Sequence, residues 1–269
     1  MKMNEKKVII FSPSIYSFYT ICVLKLMLQK KINIDSIIIL NLLNKQRFKN
    51  EFGRDGGRLL KKIWKKLFLR DLAFSNDRVN LRSLKKDLDI NDSSVVSMAK
   101  KNNIKIIKVN NFNSHDLVDY VESVRPHVGV FTGGGLLKSK IINCFYKGII
   151  NCHMGLLPKY RGMDVVEWPI IDKSFNLGLT THLIDKGVDT GDIIRTKTYH
   201  VRYSNCELQY VRDEFEKNMC EMIVEDTICV LNGKAVFKKQ DLIDGRQYFI
   251  MHDKLKKKVK DILNEKKYS

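Results

Sequence analysis

The 269-residue sequence predicts an α/β protein: a doubly wound, mostly parallel sheet with a helical insertion and a small C-terminal helix/strand extension. Two observations lead there. Short continuous apolar runs recur, as strands buried on both faces require, and the runs that bracket Ile15–Gln29 are separated by a stretch with helical spacing. A third concerns the end of the chain, where Asn205–Gly233 reads as one long amphipathic helix closed by Asn232-Gly233.

The first run, Lys7–Phe11, ends at Ser-Pro-Ser and reads as a buried strand. The helix over Ile15–Gln29 leads to a second buried strand, Asp35–Leu40, so the two strands are parallel with a crossover helix between them. An insertion of about 45–103 follows. Within it, Gly57–Arg70 has apolar residues at 59, 60, 63, 64, 67 and 68 and Lys or Arg on its other face, the pattern of a basic amphipathic helix. Residues 81–103 are lysine-rich and predict a surface helix pair, with Ser94–Lys101 as its second member. Further strands are expected at Ile104–Val109, Val128–Phe131, Gly148–Asn151 and Leu179–Ile184, with a helix over His115–Val124. The expected domains are a core over 1–200 and a helical extension over 201–269, which ends in a basic helix. The insertion and the tail helix are both candidate dimer surfaces.

Composition narrows the class. The formal charge of +18 favours anionic partners, although a lysine-rich surface that keeps the protein soluble reads the same way. No apolar run reaches the ~18 residues of a membrane span, and the first residues lack a signal-peptide core, so a cytoplasmic protein is expected. Six scattered cysteines form no C-x-x-C pair, which argues against a disulfide scaffold and against a metal site. The glycine fingerprint of dinucleotide binders and the phosphate-binding P-loop are both missing; Thr132–Gly135 follows a strand but matches neither.

The chemistry concentrates in Asn151–Gly162, "NCHMGLLPKYRG". On a strand, Asn151 and His153 share one face and Cys152 points to the other. Asn supplies a donor for a developing oxyanion, and His can act as acid, base or donor. The proline turn and the group Lys159, Tyr160 and Arg161 suit an anionic substrate. A second cluster lies in Gly178–Ile194: a strand carrying His182, then a glycine-containing loop with Asp189. Asp189 either orients His153 across adjacent strand ends or is a turn residue.

Together the two stretches, "GIINCHMGLLPKYRGMDVVEWPI" and "GLTTHLIDKGVDTGDII", closely resemble the folate-dependent formyltransferases that use 10-formyltetrahydrofolate. The resemblance covers Val128–Ile194 well and the N-terminal strands in outline. It implies a Rossmann-like core, formyl transfer to an amine, and catalytic roles for Asn151, His153 and Asp189. His182 corresponds to the family's second motif histidine. For the folate co-substrate it implies backbone contacts from Gly135, Leu136 and Leu137 and from Ile184, Asp185, Lys186, Gly187 and Val188, with no metal. One departure is Gly155, where the family usually has Ser; a minor loop contact is the expected casualty.

The acceptor is a separate question. The segments after residue 160, with Asp244–Leu255, look most like sugar N-formyltransferases acting on nucleoside-diphosphate-linked amino-dideoxy sugars for surface polysaccharides such as O-antigen. Lys159, Tyr160, Arg161, His182 and Glu167 are the residues expected near that acceptor; Glu167 and Trp168 either shape its pocket or serve as cap and core. Methionyl-tRNA and glycinamide ribonucleotide are the alternative acceptors. Nucleic acid is disfavoured because the tRNA enzymes of the family carry a C-terminal barrel. From another class stands a non-catalytic, basic nucleic-acid- or membrane-associating protein on the same scaffold.

Overall fold

A computed structural model of the chain describes residues 5–41, 84–174, 176–200 and 208–265. The basic helix expected over Gly57–Arg70 lies outside the described residues, as does most of the insertion. The strands are β1 (Val8–Ser12), β2 (Ile34–Leu40), β3 (Lys105–Val109), β4 (Val128–Phe131), β5 (Ile149–His153), β6 (Tyr160–Gly162), β7 (Asn176–Leu183), β8 (Ile193–His200) and β9 (Arg246–Tyr248). The helices are α1 (Phe18–Gln29), α2 (Val95–Lys101), α3 (His115–Val124), α4 (Ser139–Ile142), α5 (Glu167–Ile171), α6 (Leu208–Leu231) and α7 (Asp253–Glu265).

Seven strands form one sheet in the order β3-β2-β1-β4-β5-β7-β8, while β6 pairs with β9 in a separate two-stranded ribbon. β3, β2, β1, β4 and β5 are parallel, and the chain reverses its direction of progress between β1 and β4. β7 runs antiparallel to β5, and β8, antiparallel to β7, returns to the common direction.

The apolar runs do what their composition demands. Every residue of β1 is buried, and its side chains alternate between two cores. Val8 and Ile10, together with Ile150 and Cys152 of β5, pack under α1, α2 and α6. Ile9 and Phe11, with Ile149, face α3 and α4 on the other side. Each fully buried aliphatic side chain contributes roughly 1.5–3 kcal/mol. The edge strand β3 differs: its Lys105 and Lys108 are exposed, which protects an edge from pairing with another chain.

Ser17 and Ser94 cap α1 and α2, their hydroxyls accepting from the amides of Thr20 and Ser97 at 3.2 and 3.0 Å. The lysine-rich stretch before β3 is helical over 84–87 and 95–101 with its lysines exposed, and its apolar face is anchored in the core. Leu84, Ile90, Val95, Met98 and Ala99 are buried in the main core, because the lysines occupy only the outward positions of an amphipathic crossover. α6 likewise lies on the sheet. Its Val211, Phe215, Met219 and Ile223 join the core that holds Cys152, so the extension is packed onto the strand that bears the motif. The apolar face of α7, Val259 and Leu263, is covered by Ile170 of α5 and by Met251. Among the described residues no helix is long and apolar enough to cross a membrane.

Candidate active site

β5 delivers the first two residues. Asn151 is half-buried and His153 buried on one face, while Cys152 is buried in the core beneath the other. Burial pushes the Cys152 thiol far above its ordinary value, and nearby Asp226 adds to the effect. A thiol so held supplies no thiolate nucleophile.

β7 delivers His182 directly opposite Asn151, in antiparallel register. Nδ1 of His182 donates to the Leu183 carbonyl at 2.8 Å, which leaves Nε2 to accept from the Asn151 amide at 3.2 Å. That bond sets the orientation of the Asn151 amide. Its second amide hydrogen is uncommitted among the described residues.

Asp189 arrives by a route other than the one expected. Because β7 runs against β5, the loop after it begins beside Ile149, where the Ile184 amide donates to the Ile149 carbonyl at 2.7 Å. The loop then folds back over the sheet instead of leaving from an adjacent strand end. Asp189 sits in the left-handed region at φ 55°, a conformation Asp tolerates in turns. So Asp189 is both a turn residue and a carboxylate aimed into the site. Its Oδ2 accepts from the Gly162 amide at 2.9 Å and lies 3.4 Å from Nδ1 of His153. Its Oδ1 lies 3.5 Å from Nε2 of His182. Burial opposes ionisation of Asp189, but His182, His153 and the Gly162 amide outweigh it and hold the carboxyl down at about 2.

His153 is gripped at both nitrogens, with Nε2 2.8 Å from the Tyr160 carbonyl and Nδ1 facing Asp189. Burial lowers its pKa; Asp189 and the Tyr160 carbonyl pull the other way without cancelling the effect. The ring is therefore neutral near physiological pH, yet both nitrogens already face acceptors for a second proton.

Gly155 belongs to this grip, and its role is larger than a loop contact. A Cβ there would sit 2.7 Å from Nε2 of His153 and 2.7 Å from the Tyr160 oxygen, in the space their hydrogen bond occupies. The Gly155→Ala variant is expected to displace the imidazole and lower kcat roughly tenfold, in line with the cost of sub-ångström misplacement. Steady-state kinetics with histidine NMR checks this; an unshifted His153 resonance and an unchanged kcat would show that the ring has room.

The residues expected near the acceptor divide. Lys159 is exposed, its Nζ 5.4 Å from the Tyr160 ring centroid. The Tyr160 side chain is buried and its hydroxyl donates to Asp172 at 3.2 Å. Arg161 is buried and donates to the Leu242 and Gly245 carbonyls at 3.3 and 3.4 Å, tying β6 to the extension. Glu167 is buried against Arg212 of α6, whose Nη2 lies 2.6 Å from Oε1. Trp168 is half-buried and stacks 5.0 Å from the Tyr248 ring.

The two segments expected against folate flank one core. Leu137 is buried in the cluster that contains Ile149, and Ile184 packs against the same cluster. Gly133, Gly134 and Gly135 all have positive φ, and a Cβ on Gly135 would meet nothing within 4 Å, so the loop backbone there is open. Leu136 is 71% exposed and Lys186 is exposed, while Asp185 accepts from the Gly187 amide and the Thr190 hydroxyl at 2.9 and 2.6 Å. Val188, just ahead of Asp189, is half-buried. A cleft of about 530 Å³ shares Ile184 with this loop and is otherwise lined by residues such as Ile142, Phe145, Tyr146, Leu183 and Phe237. Asn151, His153 and Asp189 do not line it.

Sequence reasoning missed three contributors. The Tyr160 carbonyl and the Gly162 amide lie inside the quoted motif, but backbone groups carry no signature. Gln240, in the extension, donates to the carbonyls of Asp189 and Gly191 from a stretch with no pattern at all.

Comparison with known proteins places the arrangement. The pattern described as formyl transferase matches residues 76–226, more than half of the chain. The methionyl-tRNA formyltransferase of Caldanaerobacter subterraneus subsp. tengcongensis is 28% identical over 155 residues, 57% of this chain and 50% of that protein. The chain spans about half the length of the curated relatives it matches. Among solved structures, the N-formyltransferase from Helicobacter canadensis, in complex with folinic acid and dTDP-3-aminofucose, has a TM-score of 0.57 at 18% identity. The match covers 90% of this chain and 70% of that one. Glycinamide ribonucleotide transformylase 1 from Symbiobacterium toebii gives 0.58 at 13% identity, covering 88% and 94%. At such identities the likeness is one of fold, and the sequence match spans the elements that build the Asn151, His153, His182 and Asp189 cluster. The chain belongs to the formyl transferase family.

Proposed function

We propose that the protein transfers a formyl group from 10-formyltetrahydrofolate to the amine of a nucleoside-diphosphate-linked amino-dideoxy sugar. The observation that carries the transfer itself is the convergence of Asn151, His153 and Asp189 on one face of β5, with His182 locking the Asn151 amide. The co-substrate supplies the activated formyl carbon. The open backbone at Gly135–Leu137 and the loop Ile184–Val188 would hold its flat ring against the core that contains Ile149.

The protein's own groups account for charge and proton. Asn151 offers its second amide hydrogen to the oxygen on which negative charge develops. His153 is neutral at rest, so it can take the proton the attacking amine must lose and return it to the departing folate nitrogen as the bond from that nitrogen to the formyl carbon breaks. Once protonated, it donates from Nε2 to the Tyr160 carbonyl and from Nδ1 toward Asp189. The ionised Asp189 stabilises that imidazolium without needing to accept the proton itself.

The sugar acceptor rests on two supports. The Helicobacter canadensis enzyme, solved with dTDP-3-aminofucose, aligns over 90% of this chain. In addition, the segment Asp244–Leu255 supplies β9, which pairs residue for residue with β6 of the catalytic motif. There Tyr248 stacks on Tyr160 and Trp168 at 5.6 and 5.0 Å, and Phe249 is exposed beside them, an aromatic surface suited to a nucleotide base. The charge of +18 suits the diphosphate, with Lys159 the exposed cation of the motif. A second reading, methionyl-tRNA as acceptor, is favoured by the same charge and by the curated relatives.

The deciding experiment supplies 10-formyltetrahydrofolate with amino-sugar nucleotides, glycinamide ribonucleotide or charged initiator tRNA and follows tetrahydrofolate release. Release with an amino-sugar nucleotide alone is expected. Release only with the tRNA would replace the acceptor, and none with any amine would remove the enzyme reading.

A further inference from the structure

The loop that carries Asp189 is restrained from outside the core. Lys238 exchanges two backbone hydrogen bonds with Ile193, each 2.8 Å, and Ile193 in turn pairs with His182 across the sheet. From that anchor Gln240 reaches the loop. Its Nε2 lies 3.1 Å from the Asp189 carbonyl oxygen and 2.6 Å from that of Gly191. Carbonyls only accept, so the amide nitrogen must face them; turning the amide over would set Oε1 against two oxygens. Oε1 is buried with no partner among the described residues, a desolvation cost that the two donated bonds must outweigh.

The turn needs such a restraint. Asp189 holds a positive φ, and a Cβ on Gly191 would lie 2.0 Å from the Leu183 oxygen, so the backbone passes β7 without clearance. One carboxylate meets two imidazoles and an amide there, and an error of about 1 Å can cost about 100-fold in rate.

We infer that Gln240 is a positioning residue for the catalytic carboxylate: by donating to both ends of the Asp189–Gly191 turn, it makes the C-terminal extension part of the working site. Its kinetic consequence rests on the formyl-transfer reading; its consequence for the loop does not.

The test uses the full chain carrying Gln240→Glu, which keeps the shape and replaces two donors by a carboxylate facing two carbonyls. At pH 8, kcat is expected to fall at least about tenfold, with KM for both substrates within about twofold of wild type. The deficit relative to wild type should shrink as pH falls toward 5, because a protonated carboxyl donates again. Hydrogen exchange of the amides over 185–191 should quicken at least about tenfold, with β1 and β4 unchanged. Wild-type kcat together with wild-type exchange would overturn the inference, as would a pH-independent loss shared with the core amides. If wild type formylates nothing yet the loop still loosens in Gln240→Glu, the clamp stands and the functional reading fails.

Discussion

Asn151→Ala and His153→Ala are each expected to lower the turnover of formyl transfer by at least about 100-fold, the scale of one lost oxyanion donor. The two should fail for different reasons. Asn151→Ala removes the donor and frees Nε2 of His182, leaving the His153 grip intact. His153→Ala removes the proton acceptor and empties the space between the Tyr160 carbonyl and Asp189. Their pH profiles should therefore part: Asn151→Ala keeps the limb that reports the imidazole, and His153→Ala loses it. Rates near wild type in both variants would remove the mechanism. A profile unchanged in His153→Ala would remove the proton-accepting role alone.

Asp189→Asn is expected to cost as much in turnover and also to change stability in a pH-dependent way. An Asn oxygen can still accept from the Gly162 N–H, but a neutral side chain no longer stabilises protonated His153. A loss of at least about 100-fold follows from the roles of carboxylates that orient a histidine. For stability the direction is fixed by the depressed pKa. Asp189 titrates at about 2 in the folded protein, below its ordinary value of 3.8, so its contribution is present above the ordinary value. That contribution is lost as pH falls through the folded value and amounts to about 2 kcal/mol. Denaturant unfolding should show wild type more stable than Asp189→Asn at pH 7, with the gap closing between about pH 4 and pH 2. A gap that stays constant over that range would show that the carboxylate charge is not what stabilises the loop.

The strands and most helices were legible because their signals are local. Val8–Ser12 and Ile34–Leu40 are apolar without a break, and only a strand covered on both faces makes use of that. Ser17 and Ser94 stand where helix starts need a cap. Between Leu84 and Asn103 the lysine content masks the spacing of the apolar residues Leu84, Ile90, Val95 and Met98, which are buried. The direction of β7 left no local trace either, since apolar composition is the same whichever way a strand runs.

By itself the sequence determined the alternating α/β order, the common face of Asn151 and His153 and the burial of Cys152, because a side-chain period of two follows from backbone geometry. The motif resemblance added Asp189 and His182 as their partners. Only the tertiary structure decided how those groups meet. An antiparallel hairpin folds the Asp189 loop back over β5, and Gly162 meets the carboxylate from a separate ribbon. The clamp on that turn, Gln240, comes from a segment more than 50 residues further along the chain. Each of these contacts has a backbone carbonyl or amide as one partner, a group nearly every residue possesses, so no residue type marks that partner in advance.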